Sequence, residues 1–363
     1  MPEKISISVG NFLFVVGAGL LLVLSWQLRS LIVVLMIAVV IAATLAPAIE
    51  IASKIGIPRW LATIGLYLGL IGGLTGIILL IGPTVVEQIE RLIGRLPSYL
   101  EILRSLLEDA MLRLGIDDPE ETNAIAQLLD INGLNAWAIR SSQQLVVRSY
   151  SVTKGFIGSI FSLLLALLLS GYMLSGSQKL LQDIINLFPY PWNSRIALQI
   201  RPVSQRMGGY IQGRILVSAI LGVVISVSLN FLGLADFALG LGVIAGFTNL
   251  IPFFGPVLGS IPALIVAIAQ GGWTALWVLL LFTVVQNLET YVLDPLLVGN
   301  SVKVHPLYQL LAVLGGAQVL GIIGALIVPP WIAGAAVLIE SLYVQPKLLS
   351  EKKPFYLDTS SEV

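Results

Sequence analysis

The sequence has no cysteine, a single histidine and few charged residues. Without cysteine the chain cannot form disulfides, thiolate zinc sites or iron–sulfur clusters. One histidine cannot build a multi-histidine metal site, so we expect no bound metal and no cofactor. Charged residues make up 11% of the 363 residues, less than half the usual share of about 25%. This scarcity excludes an ordinary soluble enzyme and a disordered chain, since both need more charge.

Charge balance and missing motifs exclude further functions. Lysine and arginine together number 20, as do aspartate and glutamate, so nothing indicates nucleic-acid binding. The sequence contains no GxxxxGK(S/T) phosphate-binding loop and no HExxH metalloprotease motif. We therefore expect neither nucleotide hydrolysis nor any other catalysis by this chain.

What the sequence does have is a succession of long uncharged windows. Hydrophobic residues make up 57% of the chain, and the mean hydropathy is +0.95. Five windows approach or exceed 20 residues: 5–28, 30–49, 60–86, 155–178 and 215–235. Two more, 237–288 and 304–339, are longer than one span needs. Because about 20 apolar residues cross a bilayer as a helix, we predict an all-α transmembrane bundle of about eight spans.

The two longest windows are interrupted by proline and glycine. The first carries Pro252, Gly255, Pro256 and Pro262, and the second carries Gly321, Gly324, Pro329 and Pro330. Proline removes a backbone donor and clashes with the preceding turn, so both windows are predicted to hold broken or re-entrant helices. Paired interruptions of this kind point to a transporter's binding site. Proline kinks in ordinary packed helices are the alternative interpretation.

Charge asymmetry between loops predicts the orientation. Segment 176–214 has five basic residues and one acidic residue, whereas 84–153 has ten acidic and six basic residues. The positive-inside rule therefore places the first in the cytoplasm and the second outside, with both termini cytoplasmic. The predicted organisation is transmembrane helices 1–3 in 1–83, an extracytoplasmic amphipathic segment in 84–153, transmembrane helix 4 in 154–178, a cytoplasmic basic segment in 179–214, a transmembrane core with broken helices in 215–345 and a cytoplasmic tail in 346–363.

Segments 84–114 and 193–213 are amphipathic. Apolar residues recur at helical spacing in 84–114, which predicts one helix or two joined at Pro97, and a weaker helical stretch follows over 120–150. An apolar stripe outside the bilayer must be covered, so we expect it to contact a neighbouring subunit, with the bilayer surface as the alternative. In 193–213, Arg195, Arg201 and Arg206 are expected at the lipid headgroups.

One predicted span carries a cluster of polar side chains. Glu289 follows 52 uncharged residues, and Gln286 lies three positions before it on the same helix face. A carboxylate at bilayer depth costs at least about 2.5 kcal/mol, so it marks a candidate site. Glu289 could carry a proton, pair with a cation or orient a substrate hydroxyl. The alternative is a structural carboxylate at a helix break near Pro295.

Other polar residues complete the candidate transport site. Gln286, Asn287 and Asn249 are expected to line it, and Asp294 is a further coupling candidate, although its place before Pro295 favours local capping. His305 precedes Pro306 at the start of a span, where an interfacial role is favoured over catalysis.

Several motifs in order resemble the autoinducer-2 exporter (AI-2E) family of bacterial membrane proteins. They are IPRWLA at 57–62, LPSYL at 96–100, GGYIQGR at 208–214, NLIPFFGP at 249–256 with Pro262 after it, the run 286–299, the pair 305–306, and Gly321, Gly324 and Pro329. The resemblance places Glu289 on the family's glutamate, and Pro295 and Gly299 on the proline and glycine that follow it. Arg214 stands where the family commonly has glutamine.

The resemblance implies transport without ATP across the bacterial inner membrane. Members of this family resemble exporters of small signals, as in quorum sensing, or of metabolites, or sodium–proton antiporters, and their subunits assemble as a ring such as a pentamer. We therefore expect a secondary exporter of a small molecule, with Glu289 as the coupling group. A sodium/proton antiporter is the first alternative, and a scaffold that docks partners through 84–153 without transporting anything is the second.

Overall fold

The computed structural model describes residues 9–113, 149–299 and 305–351, and these ranges form helices and no strand. The predicted all-α fold is thereby confirmed. The helices are α1 (Val9–Gln27), α2 (Arg29–Lys54), α3 (Arg59–Arg113), α4 (Ser149–Ser175), α5 (Ser177–Asn186), α6 (Trp192–Phe231), α7 (Ala238–Thr248), α8 (Phe254–Gln270), α9 (Gly272–Leu288), the π-helix π1 (Glu289–Val298), α10 (Pro306–Ile339), the π-helix π2 (Glu340–Val344) and α11 (Gln345–Glu351).

Five helices in these ranges are long and apolar enough to cross a membrane. By length and composition they are α2, α3, α6, α9 continued by π1, and α10 continued through α11, although α10 is divided by a reversal described below. A sixth is formed if α4 and α5, which are bent by 85° at their junction, count as one span. The chain therefore has several candidate membrane spans, and the count of about eight stays a prediction.

Helix α3 joins the predicted third span to the predicted extracytoplasmic amphipathic segment. It runs for 55 residues, about 80 Å at 1.5 Å per residue, and it continues through Pro83 and Pro97 without interruption. The amphipathic helix predicted over 84–114 is thus, as far as Arg113, the continuation of a candidate membrane-spanning helix. The weaker helical stretch predicted over 120–150 lies mostly outside the described residues.

Part of the amphipathic stripe of α3 packs on the chain's own core. Leu92 and Leu100 are buried, and the ring of Tyr99 meets that of Phe237 edge-on at 6.4 Å. The Gln88 Oε1 atom accepts a hydrogen bond of 2.7 Å from the Gly240 amide in the first turn of α7. These contacts cover that part of the stripe within the chain itself, and a contact of segment 84–153 with a neighbouring subunit stays a prediction.

The first interrupted window forms a hairpin of two short helices. Helices α7 and α8 have 11 and 17 residues, about 16 and 26 Å. The second helix turns back on the first, since a Cβ built on Gly259 would lie 2.8 Å from the Ala245 Cα. Each is shorter than the bilayer core of about 30 Å, so their lengths favour a re-entrant hairpin over two crossings.

The second interrupted window also reverses direction, at Gly321. This residue has φ 65° and ψ −151°, a conformation that favours glycine. Gly316 and Gly324 lie in backbone contact across the turn, and a Cβ on Gly316 would also lie 3.1 Å from the Val328 side chain. The reversal therefore divides α10 into two antiparallel arms, and Pro329 and Pro330 lie inside the second arm.

Helix α6 is the centre of the described fold. It packs against α2, α7, α10 and π1, and its buried residues Val217, Leu221 and Leu229 belong to the largest core cluster. It begins at Trp192 and runs uninterrupted to Phe231. The predicted boundary at residue 214 between a cytoplasmic segment and the core therefore falls inside one continuous helix.

We predict that Gly316→Ala lowers the stability of the folded chain by about 1–3 kcal/mol, because the added methyl group would overpack the contact with Gly324. Thermal unfolding of detergent-solubilised protein, followed by intrinsic tryptophan fluorescence, measures the effect. Gly315→Ala is the matched control, since a Cβ there meets nothing within 4 Å. An equal unfolding temperature for the two variants would contradict the contact.

Candidate transport site

The site is built around a buried arginine on α6. The side chains of Arg214 and Glu289 are each 4% exposed, and the Arg214 Nη1 atom lies 2.9 Å from the Glu289 Oε1 atom. The same nitrogen lies 3.4 Å from the Asp294 Oδ1 atom. Arg214 Nη2 donates to the Asn249 Oδ1 atom at 3.4 Å. The guanidinium group on α6 thus contacts three side chains, two from π1 and one from the end of α7.

Close backbone packing brings the two sides of the ion pair together. Gly213 precedes Arg214, and a Cβ built on it would clash with the backbone of Leu297 in π1. Any larger residue at 213 would push π1 away from α6. The glycine therefore sets the distance at which Arg214 meets the carboxylates carried by π1.

The third contribution comes from the tip of the α7–α8 hairpin. Asn249 follows the last residue of α7, and Phe253 has φ 66° and ψ −43°, with a hydrogen bond of 2.8 Å from the Phe254 amide to the Pro252 carbonyl. This is a γ-turn with positive φ, a strained conformation for a phenylalanine. Gly255 allows α8 to start against the end of α7, because a Cβ there would lie 2.5 Å from the Asn249 Cα.

Both carboxylates belong to the π-helical segment π1. Glu289 is its first residue, and the Gly299 amide donates to the Asp294 carbonyl at 2.6 Å, five residues back in the chain. Pro295 lies inside the segment and has no amide hydrogen to donate. Short π-helical stretches occur frequently at functional sites, since they reposition side chains within a helix.

The charges of the site do not cancel. One guanidinium faces two carboxylates, so the fully ionised cluster has one excess negative charge. The Arg214 Nε atom is buried and has no hydrogen-bond partner. The Asp294 side chain is 40% exposed, in contrast to the buried Glu289. The cluster can therefore accept a proton or a cation, and Asp294 is its exposed end.

The structure brings together some of the predicted residues and not others. Glu289, Asn249 and Asp294 share the cluster around Arg214. Gln286 is half-buried and donates to the Thr290 hydroxyl at 3.2 Å, one turn further along the chain. Asn287 is exposed and donates to the Thr283 carbonyl at 2.7 Å, so it takes no part in the cluster.

The proline and glycine residues expected to break the helices have different positions. Pro252 lies in the break between α7 and α8, and Pro256 lies in the first turn of α8. Pro262 lies within α8 and Pro295 within π1, and neither ends its helix, because a helix can bend at proline when the neighbouring packing holds it. Gly299 follows the last residue of π1.

Arg214 is the site residue that sequence reasoning missed. The charge pattern places it at the end of a basic cytoplasmic segment. A signal was available, because Tyr210, Arg214 and Ser218 are spaced by four residues and share one face of a helix. All three are buried.

His305 lies apart from this cluster. It is the N-cap of α10, and its Nδ1 atom accepts a hydrogen bond of 3.3 Å from the Leu307 amide. The cap is a local structural contact, and the interfacial role of His305 stays a prediction.

The sequence of the chain is similar to those of known proteins. The profile of the AI-2E family transporter matches residues 12–343. The chain belongs to the AI-2E transporter family. The predicted resemblance is confirmed, and the match includes α6, the α7–α8 hairpin and π1, the elements that form the site.

Relatives of this AI-2E chain are named as transport proteins. It is 28% identical over 310 residues to YrrI of Bacillus subtilis, a proposed transport protein, with 84% of each chain covered. It is 26% identical over 326 residues to the proposed transport protein MT0215 of Mycobacterium tuberculosis, covering 88% of this chain and 86% of the relative. It is also 26% identical over 323 residues to the proposed permease PerM of Escherichia coli, with 86% of each chain covered. These similarities support a membrane transporter or permease.

We predict that Arg214→Gln destabilises the chain more than Glu289→Gln does. Removing one partner of a buried ion pair costs about 3–5 kcal/mol. Arg214→Gln leaves two carboxylates without a cation, whereas Glu289→Gln leaves Arg214 beside Asp294. The double variant should recover part of the loss. Thermal unfolding of the detergent-solubilised variants measures the order of their stabilities.

The exposed pair Arg91–Glu87 on α3 is the control for this cycle. Its single variants should change the unfolding temperature much less, because solvent screens an exposed pair. Equal effects of Arg214→Gln and Glu289→Gln would contradict a cluster with one cation and two carboxylates.

Proposed function

We propose that this AI-2E chain is a secondary transporter that exports a small molecule, a signal or a metabolite, without ATP. The observation that supports it is the buried Arg214–Glu289 ion pair at the tip of a broken helical hairpin. Ionisable groups at membrane depth are expensive, and they commonly mark substrate or proton pathways. We further propose a location in the bacterial inner membrane with both termini cytoplasmic, and a homo-oligomeric assembly.

Protonation of Glu289 would be the coupling step. In the ionised form, Glu289 holds Arg214 at 2.9 Å and so joins π1 to α6. A proton on Glu289 removes that attraction, and the contact of Arg214 with Asp294 is longer, at 3.4 Å. The two protonation states therefore favour different separations of α6 and π1, which is the requirement for a conformational switch.

The strained tip of the α7–α8 hairpin suits this role. The Arg214 contact with Asn249 links the tip to the ion pair, and the γ-turn at Phe253 maintains a conformation that its surroundings must enforce. Loss of the ion pair would weaken one of those restraints. Asp294, the exposed carboxylate, would pass protons between water and the buried Glu289.

We predict that Glu289→Gln abolishes coupled transport. Purified protein in liposomes with a trapped pH-sensitive dye is exposed to autoinducer-2 and, separately, to sodium. Wild type should show cargo-dependent proton movement, and Glu289→Gln should show none, because glutamine cannot exchange a proton. Glu108→Gln, on the exposed part of α3, is the matched control and should behave as wild type. Cargo-dependent proton movement at the wild-type level in Glu289→Gln would show that Glu289 has only a structural role.

A second candidate function is a sodium/proton antiporter. The excess negative charge of the cluster favours it, because a monovalent cation could neutralise that charge as a proton does. In the same liposomes, a sodium-driven pH change that is lost in Glu289→Gln would identify the antiporter. Absence of proton movement under both conditions would contradict both coupled functions and favour a scaffold.

A further inference from the structure

One side of the helix formed by α9 and π1 carries polar side chains that are exposed. We call this set the polar stripe, and its members are Thr283, Asn287, Thr290, Tyr291 and Asp294. They recur at intervals of three or four residues, which places them on one side of the helix. The opposite side, with Val285 and Glu289, is buried in the core.

Lipid is an unfavourable environment for the polar stripe. Helix α9 and π1 together form the candidate membrane span Gly272–Val298, and Asn287 lies near its middle. Tyr291 is 74% exposed, and the Asp294 side chain is 40% exposed. Polar and ionisable side chains within a span are costly in lipid, and almost all of them face protein or a water-filled cavity. The polar stripe therefore marks a part of the span that lipid does not cover.

The negative charge of the polar stripe favours water over a protein contact. Asp294 shares Arg214 with Glu289, and Glu289 is the closer of the two, at 2.9 Å against 3.4 Å. A dry contact over Asp294 would leave a carboxylate that is only partly compensated, which is costly. Thr283 and Asn287 need no partner molecule as donors, because they donate to carbonyls of α9 at 2.8 and 2.7 Å. Water can pair with the remaining polar atoms at no such cost.

The polar stripe occupies only one half of the span. On the same side of α9, within the two turns before Thr283, the exposed residues are Leu276, Leu279 and Leu280. These leucine side chains are compatible with lipid. The change from leucine to polar residues occurs at Thr283, near the middle of the span, and the polar residues continue towards its end at Val298. This distribution is the one expected for a vestibule that opens to one side of the membrane and ends inside it.

The vestibule would lead to the cluster around Arg214. Asp294 belongs to both, since its carboxylate contacts Arg214 and is also partly exposed. A molecule beside the polar stripe could therefore reach the cluster through Asp294 without crossing the packed core. The one excess negative charge of the cluster attracts cations and repels anions.

We propose that the polar stripe lines a water-filled vestibule through which a small polar molecule without negative charge reaches Asp294. This inference rests on the proposed transport function and specifies its substrate class. The hydroxyl and amide groups of the stripe can both donate and accept hydrogen bonds, and the Asp294 carboxylate accepts them. These groups suit a neutral hydroxylated compound or an amine.

Cysteine accessibility tests the vestibule, because the chain has no cysteine of its own. Single-cysteine variants of the full-length protein in nanodiscs are treated with a cationic and, separately, an anionic methanethiosulfonate. Such reagents attack the ionised thiolate, which forms in water and not in lipid, so Asn287→Cys should react at least roughly ten-fold faster than Leu280→Cys. Leu280 is the matched control, since it is exposed on the same side of α9, two turns earlier.

The charge of the reagent tests the substrate class. After division by the rates with free cysteine, the cationic reagent should label Asn287→Cys roughly ten-fold faster than the anionic one, because a cleft with excess negative charge concentrates cations. Adding Asp294→Asn to the same chain should reduce this ratio, since it removes the excess charge.

Two results would overturn the inference. Equally slow reaction of Asn287→Cys and Leu280→Cys in nanodiscs, with full labelling of both in dodecyl sulfate, would show that lipid or a second subunit keeps the stripe dry. Fast reaction of Asn287→Cys with equal normalised rates for the two reagents would contradict the substrate class.

The vestibule and the coupling role of Glu289 can fail separately. If Asn287→Cys is accessible but Glu289→Gln keeps full proton flux, the coupling role is wrong and the vestibule stands. If Glu289→Gln loses the flux but Asn287→Cys is inaccessible, the coupling role stands and the vestibule is wrong.

Discussion

The ion pair between Arg214 and Glu289 is the interaction on which the arrangement of the core depends. Both side chains are almost fully buried in an apolar helical protein, where an isolated charge would be prohibitively expensive. Each charge is tolerated because the other is within 2.9 Å. The pair therefore couples the position of α6 to that of π1, and through Asn249 to the hairpin tip.

Several unusual backbone features surround the Arg214–Glu289 pair, and each allows neighbouring helices or side chains to come closer together. Gly213 allows π1 to approach α6, Gly255 allows α8 to start beside Asn249, and π1 carries both carboxylates on an expanded helix. Each departs from a straight α-helix with ordinary side-chain spacing. Together they bring four polar groups to one point inside an apolar bundle, where water cannot substitute for a missing partner.

Hydropathy and proline act locally along the chain, so the all-α membrane fold, the two interrupted windows and Glu289 as a candidate can be predicted from sequence. The sequence also predicts Asn249 and Asp294 as site residues, but it does not show what joins them. The burial of Arg214 among them and the position of Asn287 outside their cluster follow from the folded arrangement. Both facts depend on the packing of α6, π1 and α7, which brings together residues up to 80 positions apart in the sequence. Helical periodicity within one segment carries no information about which other segment it will face.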